Sequence, residues 1–158
     1  MTGVLLLENS DVVRIAEKIC VSIDDSGFLP DLVVGVGKGG AVPGVMISNY
    51  FDVPYINVSW SRKNSDSNES NCWLPEDAYN GKQILVVDDI CRTGSTLEEI
   101  CEDWDSSIRG LPDFEKWYDN VRFATLHAAE NVEFTVDYVG EYVTDYEDIE
   151  YPWECWWA

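Results

Sequence analysis

Short unbroken apolar runs alternate along the chain with stretches that are apolar on one side only. Val12, Ile15, Ala16, Ile19, Cys20 and Ile23 recur at helical spacing. Residues 11–24 therefore read as an amphipathic helix, with Asn9-Ser10-Asp11 offering its N-cap. Leu32 to Val36 is apolar throughout and too short for a helix, which predicts a strand buried on both faces. A helix follows to about Phe51, with Pro43 near its first position. Tyr55 to Trp60 reads as the next strand. Ile84 to Val87 is a second fully apolar run, and Leu97, Ile100, Cys101 and Trp104 then mark another helical face. Arg122 to Leu126 and Thr135 to Tyr142 are further strand candidates, with Leu111 to Asp119 a short connection. Strands alternating with helices predict an α/β fold.

The strand–loop–helix junctions carry the candidate chemistry. Asp88 and Asp89 stand at the carboxyl end of the 84–87 strand, and Thr93-Gly94-Ser95-Thr96 leads into the helix. An open α/β sheet binds ligands off the carboxyl ends of its strands. Backbone N–H groups and hydroxyls meeting at a helix N-terminus suit a phosphate. Carboxylates beside a phosphate repel it unless they hold a cation or accept hydrogen bonds from sugar hydroxyls. Mg2+ is typically held by one or two carboxylates together with substrate phosphates. A sugar phosphate with vicinal hydroxyls and Mg2+ suits this loop. The plainer alternative is an acid pair that merely ends a strand, followed by a Thr-rich helix cap.

Gly37-Lys38-Gly39-Gly40 is a second anion candidate. Its glycines allow close backbone approach, and Lys38 adds a charge. Gly35, Gly37 and Gly40 also satisfy G-x-G-x-x-G. The dinucleotide reading of that motif needs an acid about 20 residues on, at the tip of the next strand. That strand ends in Trp60-Ser61-Arg62, without an acid, which leaves a dinucleotide-dependent enzyme as a third, weaker reading. Ser61 to Asn71 is too polar for core. It is either a plain surface loop or a flap closing over substrate, with 61–77 as the candidate segment. Arg62 and Lys63 would sit on that flap, two of only ten basic residues.

Length and charge narrow the class. At 158 residues one domain with a sizeable core is expected. Thirty acids against ten bases give a net charge of −20, which argues against nucleic acid or an anionic membrane as partner. An anionic substrate gains no long-range steering, so local donors and Mg2+ must supply the attraction. Acidity of this degree fits either a high-salt setting or simple solubility. No apolar run approaches the roughly 18 residues of a membrane span. Leu5 to Leu7 lacks the basic start of a signal peptide, so a cytoplasmic location is expected. The cysteines, Cys20, Cys72, Cys91, Cys101 and Cys155, have no C-x-x-C spacing, and His127 is the only histidine. Reduced thiols are expected, and a zinc site is not. The segment from Glu141 to Glu154 interleaves acids with aromatics. The terminal tryptophans read as packing or subunit contact before ligand stacking.

Val86-Val87-Asp88-Asp89-Ile90-Cys91-Arg92-Thr93-Gly94-Ser95-Thr96 resembles the phosphoribosyl-diphosphate (PRPP) signature of type I phosphoribosyltransferases. The likeness is greatest to the short xanthine/hypoxanthine-guanine branch, phage-type members included. It runs from the glycine loop near Gly35 to Tyr151-Pro152-Trp153-Glu154. It implies a single domain with a central, mainly parallel sheet flanked by helices, and a flexible hood loop. It also implies Mg2+-dependent transfer of a phosphoribosyl group from PRPP to a nucleobase, a purine, as in purine salvage. A homo-oligomer, dimer or tetramer, belongs to the same expectation. On this likeness Lys38, Gly39 and Gly40 grip pyrophosphate. Thr93, Gly94, Ser95 and Thr96 take the 5-phosphate, and Asp88 and Asp89 take the ribose hydroxyls and the metal. Arg62 and Lys63 would approach from the hood.

Three departures fall together in the base subsite. Arg92 stands where purine members place an Asp that takes a proton from the base, and arginine stays protonated. Ala129 stands where a Lys touches the exocyclic oxygen. Asp148 stands where an aromatic stacks on the base, leaving Tyr146 as the nearest substitute, with Ile149 counted beside it. His127 is either a base contact or a core histidine. The alternative left open is a PRPP- or nucleotide-binding protein of the same fold without the transfer step.

Overall fold

In chain order the elements are β1 (Val4–Leu6), α1 (Asn9–Ser26), β2 (Leu32–Val36), α2 (Ala41–Phe51), β3 (Tyr55–Val58) and α3 (Trp73–Tyr79). They continue with β4 (Ile84–Cys91), α4 (Ser95–Ile108), a 3-10 segment (Phe114–Asn120), β5 (Val121–Ala129), β6 (Tyr138–Val143) and β7 (Asp148–Glu150). They are taken from a computed structural model that describes residues 3–60, 73–144 and 147–158. Five strands form one parallel sheet in the order β3-β2-β4-β5-β6, and β1 pairs with β7 in a separate parallel ladder.

The chain steps from β2 outward to β3 and then returns across β2 to β4. The strand order therefore reverses between β2 and β4, with Gly35 beside Val87 in register. In doubly wound sheets such a reversal opens a crevice at the carboxyl ends, because the flanking connections leave on opposite faces. Both candidate anion loops emerge there.

Alternation along the strands separates two cores. Val33, Leu85, Val87, Ala124 and Leu126 pack with Val12, Ile15, Ile19, Ile23 and Ile47 of α1 and α2. Val34, Val36, Ile84, Val86 and Phe123 pack with Leu97, Ile100 and Trp104 of α4, Leu74 of α3 and Trp117 of the 3-10 segment.

Several boundaries differ from the sequence reading. The first helix starts at Asn9 with Glu8 as N-cap, because the Glu8 backbone N–H donates to the Asp11 carboxylate at 2.8 Å. β4 continues past the acid pair to Cys91, since Asp88 and Ile90 pair with Thr125 and His127. Residues 130–137 are the crossover joining β5 to β6, so β6 begins at Tyr138 and not at Thr135. The connection after α4 is partly 3-10 helix, anchored by buried Trp117, whose indole N–H donates to Asp105 at 2.8 Å. Of the candidate flap, residues 73–77 belong to α3, which buries Leu74. The rest of it, with Arg62 and Lys63, lies outside the described residues.

Candidate functional site

The period of two along β4 sends its acids to opposite faces. Asp88 continues the row of Ile84 and Val86 and lines a cavity of about 190 Å³ with Ile90, Arg92 and Thr93 to Leu97. Asp89 continues the row of Leu85 and Val87 and lies under the glycine loop. A Cβ placed on Gly39 would stand 2.5 to 2.8 Å from the Asp89 carboxylate atoms. One placed on Gly40 would run into the Val87 carbonyl oxygen and the Val36 backbone. The glycines thus let the 37–40 loop lie directly on the acid strand. The sequence reading had related them to a ligand's approach alone. Gly35 is a packing residue, set against the Tyr55 ring.

The 37–40 loop is held from the β3 side. Gly37, at φ +58°, donates its N–H to the Val58 carbonyl oxygen at 2.8 Å, and the Asn57 side-chain amide donates to the Gly37 carbonyl oxygen at 2.8 Å. Gly40 donates to Val36 at 2.9 Å, which turns the chain into α2. Lys38 stays exposed at the crevice.

The second loop is equally constrained. Gly94 adopts φ +86°, and a Cβ there would collide with Phe134 of the β5–β6 crossover. The Thr93 hydroxyl accepts from the Ser95 N–H at 3.2 Å and lies 2.9 Å from the Ser95 hydroxyl. The next N–H groups of α4 have no helical carbonyl behind them and point out of its first turn.

The acids are set up to be reluctant anions. Burial pushes the Asp88 carboxyl well above the usual carboxylate range, and the neighbouring Asp89 charge adds to it. Burial also raises Asp89. Backbone donors oppose this in part: Asp89 N–H donates to Asp88 at 2.8 Å, and Ile90 N–H to Asp89 at 2.7 Å. Among the described residues, no cluster of three or more His, Cys, Asp or Glu side chains forms a ready-made metal cage.

The phosphoribosyl transferase domain model matches residues 5–137. The chain belongs to the phosphoribosyl transferase domain family. Solved structures agree on the fold. A purine phosphoribosyltransferase from Pyrococcus horikoshii superposes with TM-score 0.70 at 22% identity, covering 96% of this chain and 94% of that one. A hypothetical protein from Neisseria gonorrhoeae with bound ppGpp gives TM-score 0.69 at 20% identity, covering 98% and 91%. The Helicobacter pylori xanthine-guanine-hypoxanthine phosphoribosyltransferase gives 0.61 at 15%, covering 96% and 94%. No curated protein sequence matches the chain.

In this phosphoribosyltransferase, Gly39 lies on Asp89 at one side of the crevice, and Asp88 shares a cavity with Thr93 to Thr96 at the other. The residues expected on the base side are arranged less predictably. Arg92 reaches across to the segment before β7, donating from Nη2 to the Glu147 carbonyl oxygen at 2.6 Å. Ile149 sits in β7 opposite Leu5, against the α1-side core, and does not line the cavity. Tyr146 lies outside the described residues. Ala129 is buried at the end of β5.

His127 belongs to the core. It is fully buried and bonded through Nδ1 to the Tyr151 hydroxyl, and burial lowers its pKa. Tyr151 itself was missed as a site-supporting residue. Its hydroxyl also donates to the Asp89 carbonyl oxygen at 3.2 Å. The Tyr-Pro-Trp order was legible, but not which strand the ring would reach.

The terminal tryptophans divide. Trp153 stacks on Tyr151 with ring centroids 4.8 Å apart, whereas Trp156 and Trp157 stay exposed. Cys20, Cys91, Cys101 and Cys155 are free thiols, and burial pushes Cys101 up to about 12. No helix among the described residues is long and apolar enough to cross a membrane.

Proposed function

We propose that this protein transfers a phosphoribosyl group from PRPP to a nucleobase with the help of Mg2+, releasing pyrophosphate. The observation that carries the reading is the close contact of the 37–40 loop with β4 at the strand reversal, Gly39 lying on the Asp89 carboxylate. That contact sets the glycine loop on Asp89, while Asp88 faces the Thr93 to Leu97 cavity, so the two loops flank one acid pair. Lys38, Gly39 and Gly40 would bind the pyrophosphate, and Thr93 to Thr96 the 5-phosphate. Asp88 and Asp89 would accept from the ribose hydroxyls and hold the metal.

The donor set fits Mg2+. Two carboxylates, with no protein cage among the described residues, match an ion that shares its coordination with substrate oxygens and water. When bound, Mg2+ supplies positive charge beside the departing pyrophosphate. The protein's own work is positioning: it fixes both ends of the sugar so that C1′ is open to the acceptor nitrogen. Carboxylates close to C1′ favour its oxocarbenium-like charge in the transition state.

A second reading keeps the same site and omits the transfer. It draws support from Arg92, which cannot act as a proton acceptor, and from the Neisseria neighbour, solved with bound ppGpp. Pyrophosphate release decides between them. PRPP and Mg2+ are supplied with hypoxanthine, guanine, xanthine, adenine, uracil or orotate in turn. Release with at least one base, abolished by Asp89→Asn, supports transfer. Saturable PRPP binding without turnover on any base supports the binding reading. The homo-oligomer enters as part of this proposal, and a monomer in sedimentation velocity would remove it.

A further inference from the structure

Asn57 holds the glycine-rich loop by one of its carbonyls. It stands on β3 beside Gly35 in register, where β2 has no side chain to block its reach. Its amide nitrogen donates to the Gly37 carbonyl oxygen at 2.8 Å and to the Tyr55 hydroxyl at 3.0 Å. A carbonyl only accepts, so the amide nitrogen, and not the amide oxygen, must face Gly37. Gly37 also gives its N–H to the Val58 carbonyl oxygen at 2.8 Å. Both polar groups of Gly37 thus turn to β3, which its φ of +58° permits. The Trp60 carbonyl oxygen lies 2.8 Å from where a Gly37 Cβ would stand, so no side chain fits there.

A trans peptide points its C=O and N–H in opposite directions. No peptide among the described residues is cis. With the Gly37 C=O turned to β3, the Lys38 N–H turns away from β3. In the strand order β3-β2-β4 that direction leads toward β4, where Gly39 lies on Asp89. Among the described residues, neither the Lys38 N–H nor the Gly39 N–H meets an acceptor, whereas Gly40 and Ala41 donate back to Val36 and Lys38. Successive free N–H groups in a turn make an anion-binding concavity. Turned over, the 37–38 peptide would instead offer a carbonyl oxygen on the Asp89 side, and two acceptors together repel an anion.

Resting on the transferase reading, we infer that Asn57 is a positioning residue, whose amide fixes the 37–38 peptide so that the Lys38 and Gly39 N–H groups face the pyrophosphate. Both hydrogens of the amide are used inside the protein, on Gly37 and on Tyr55. Asn57 therefore acts through the loop and not on the ligand. Tyr55 serves the same end, because its hydroxyl takes the second hydrogen and keeps the amide from rotating.

Asn57→Leu keeps the size of the side chain and removes its donor. Calorimetry in the presence of Mg2+ measures the binding of inorganic pyrophosphate and, separately, of ribose 5-phosphate. The variant should bind pyrophosphate about 10- to 100-fold more weakly, and ribose 5-phosphate within about twofold of wild type. The KM for PRPP should rise by a similar factor with kcat little changed, and Asn57→Gln, which keeps the donor, should recover part of the loss. In wild type the Lys38 and Gly39 amide resonances should shift when pyrophosphate is added, and in Asn57→Leu the Lys38 shift should be lost. Unchanged pyrophosphate affinity in Asn57→Leu, or an equal loss for both ligands, overturns the role of Asn57 and leaves the transferase reading standing. A wild-type protein that binds neither pyrophosphate nor PRPP overturns both.

Discussion

The Tyr151 hydroxyl lies 2.9 Å from Nδ1 of His127 and so fastens the C-terminal segment to the middle of the sheet. The same hydroxyl donates its single proton to the Asp89 carbonyl oxygen at 3.2 Å. Nδ1 of His127 must therefore carry the hydrogen of their shared bond, which leaves Nε2 bare. That Nε2 is buried and meets no hydrogen-bond partner among the described residues. Tyr151 thus supports, through the backbone, one of the two acids of the site.

Tyr151→Phe keeps the ring stacked on Trp153 and removes only the hydroxyl. It strands the His127 Nδ1–H and removes the donor to the Asp89 carbonyl oxygen. The expected loss is about 1–3 kcal/mol, the range for a buried polar group left unpaired. Urea denaturation reads it, and an unchanged midpoint would show that the hydroxyl contributes nothing.

His127 is the only histidine, so its titration can be isolated by difference. Burial depresses its folded pKa below the ordinary 6.5. Its stabilising contribution is therefore complete above the unfolded value and fades as pH falls below it toward the folded value. Thermal unfolding of wild type and His127→Gln at stepped pH is the measurement. The wild-type advantage should be largest above pH 6.5 and shrink on acidification. A constant difference across the range would contradict the assignment of His127 as a neutral core residue.

Asp88 has the opposite sign. Its folded pKa is raised by burial and by Asp89, so ionising it costs stability, and that cost grows as pH rises through the folded value. Without ligand, Asp88→Asn should stabilise the protein by about 0.5–2 kcal/mol at pH 8 while removing pyrophosphate release, the usual trade between stability and a charged site. The gain should vanish near the ordinary carboxylate range. Scanning calorimetry at both pH values checks it. Destabilisation at pH 8 would mean that the carboxylate is held by favourable contacts.

Two glycines separate conformation from contact. Gly94→Ala meets both the left-handed backbone, at about 1–2 kcal/mol, and Phe134. It should lower stability and weaken PRPP binding together. Gly39 has no such backbone demand, and the atoms nearest its Cβ would be those of the Asp89 carboxylate. Gly39→Ala should change stability by less than about 1 kcal/mol and raise the KM for PRPP about tenfold or more. Equal effects of the two variants on stability would remove the distinction.

Local pattern by itself determined the alternation of strands and helices, the glycine-rich and threonine-rich loops, and the acid pair, because these depend on residue type and on spacings within a few positions. Val33, Leu85 and Val87 had to be strand because no other element buries so short a run on both faces. What only the tertiary structure decided is how distant segments meet. The strand reversal between β2 and β4 brings Gly39 onto Asp89. The period of two, carried through a strand longer than its apolar run, turns Asp88 and Asp89 to opposite faces. Arg92 spans to Glu147 and Tyr151 to His127 across separations of 55 and 24 residues. Contacts of that range depend on the packing of the whole sheet, which no local spacing encodes.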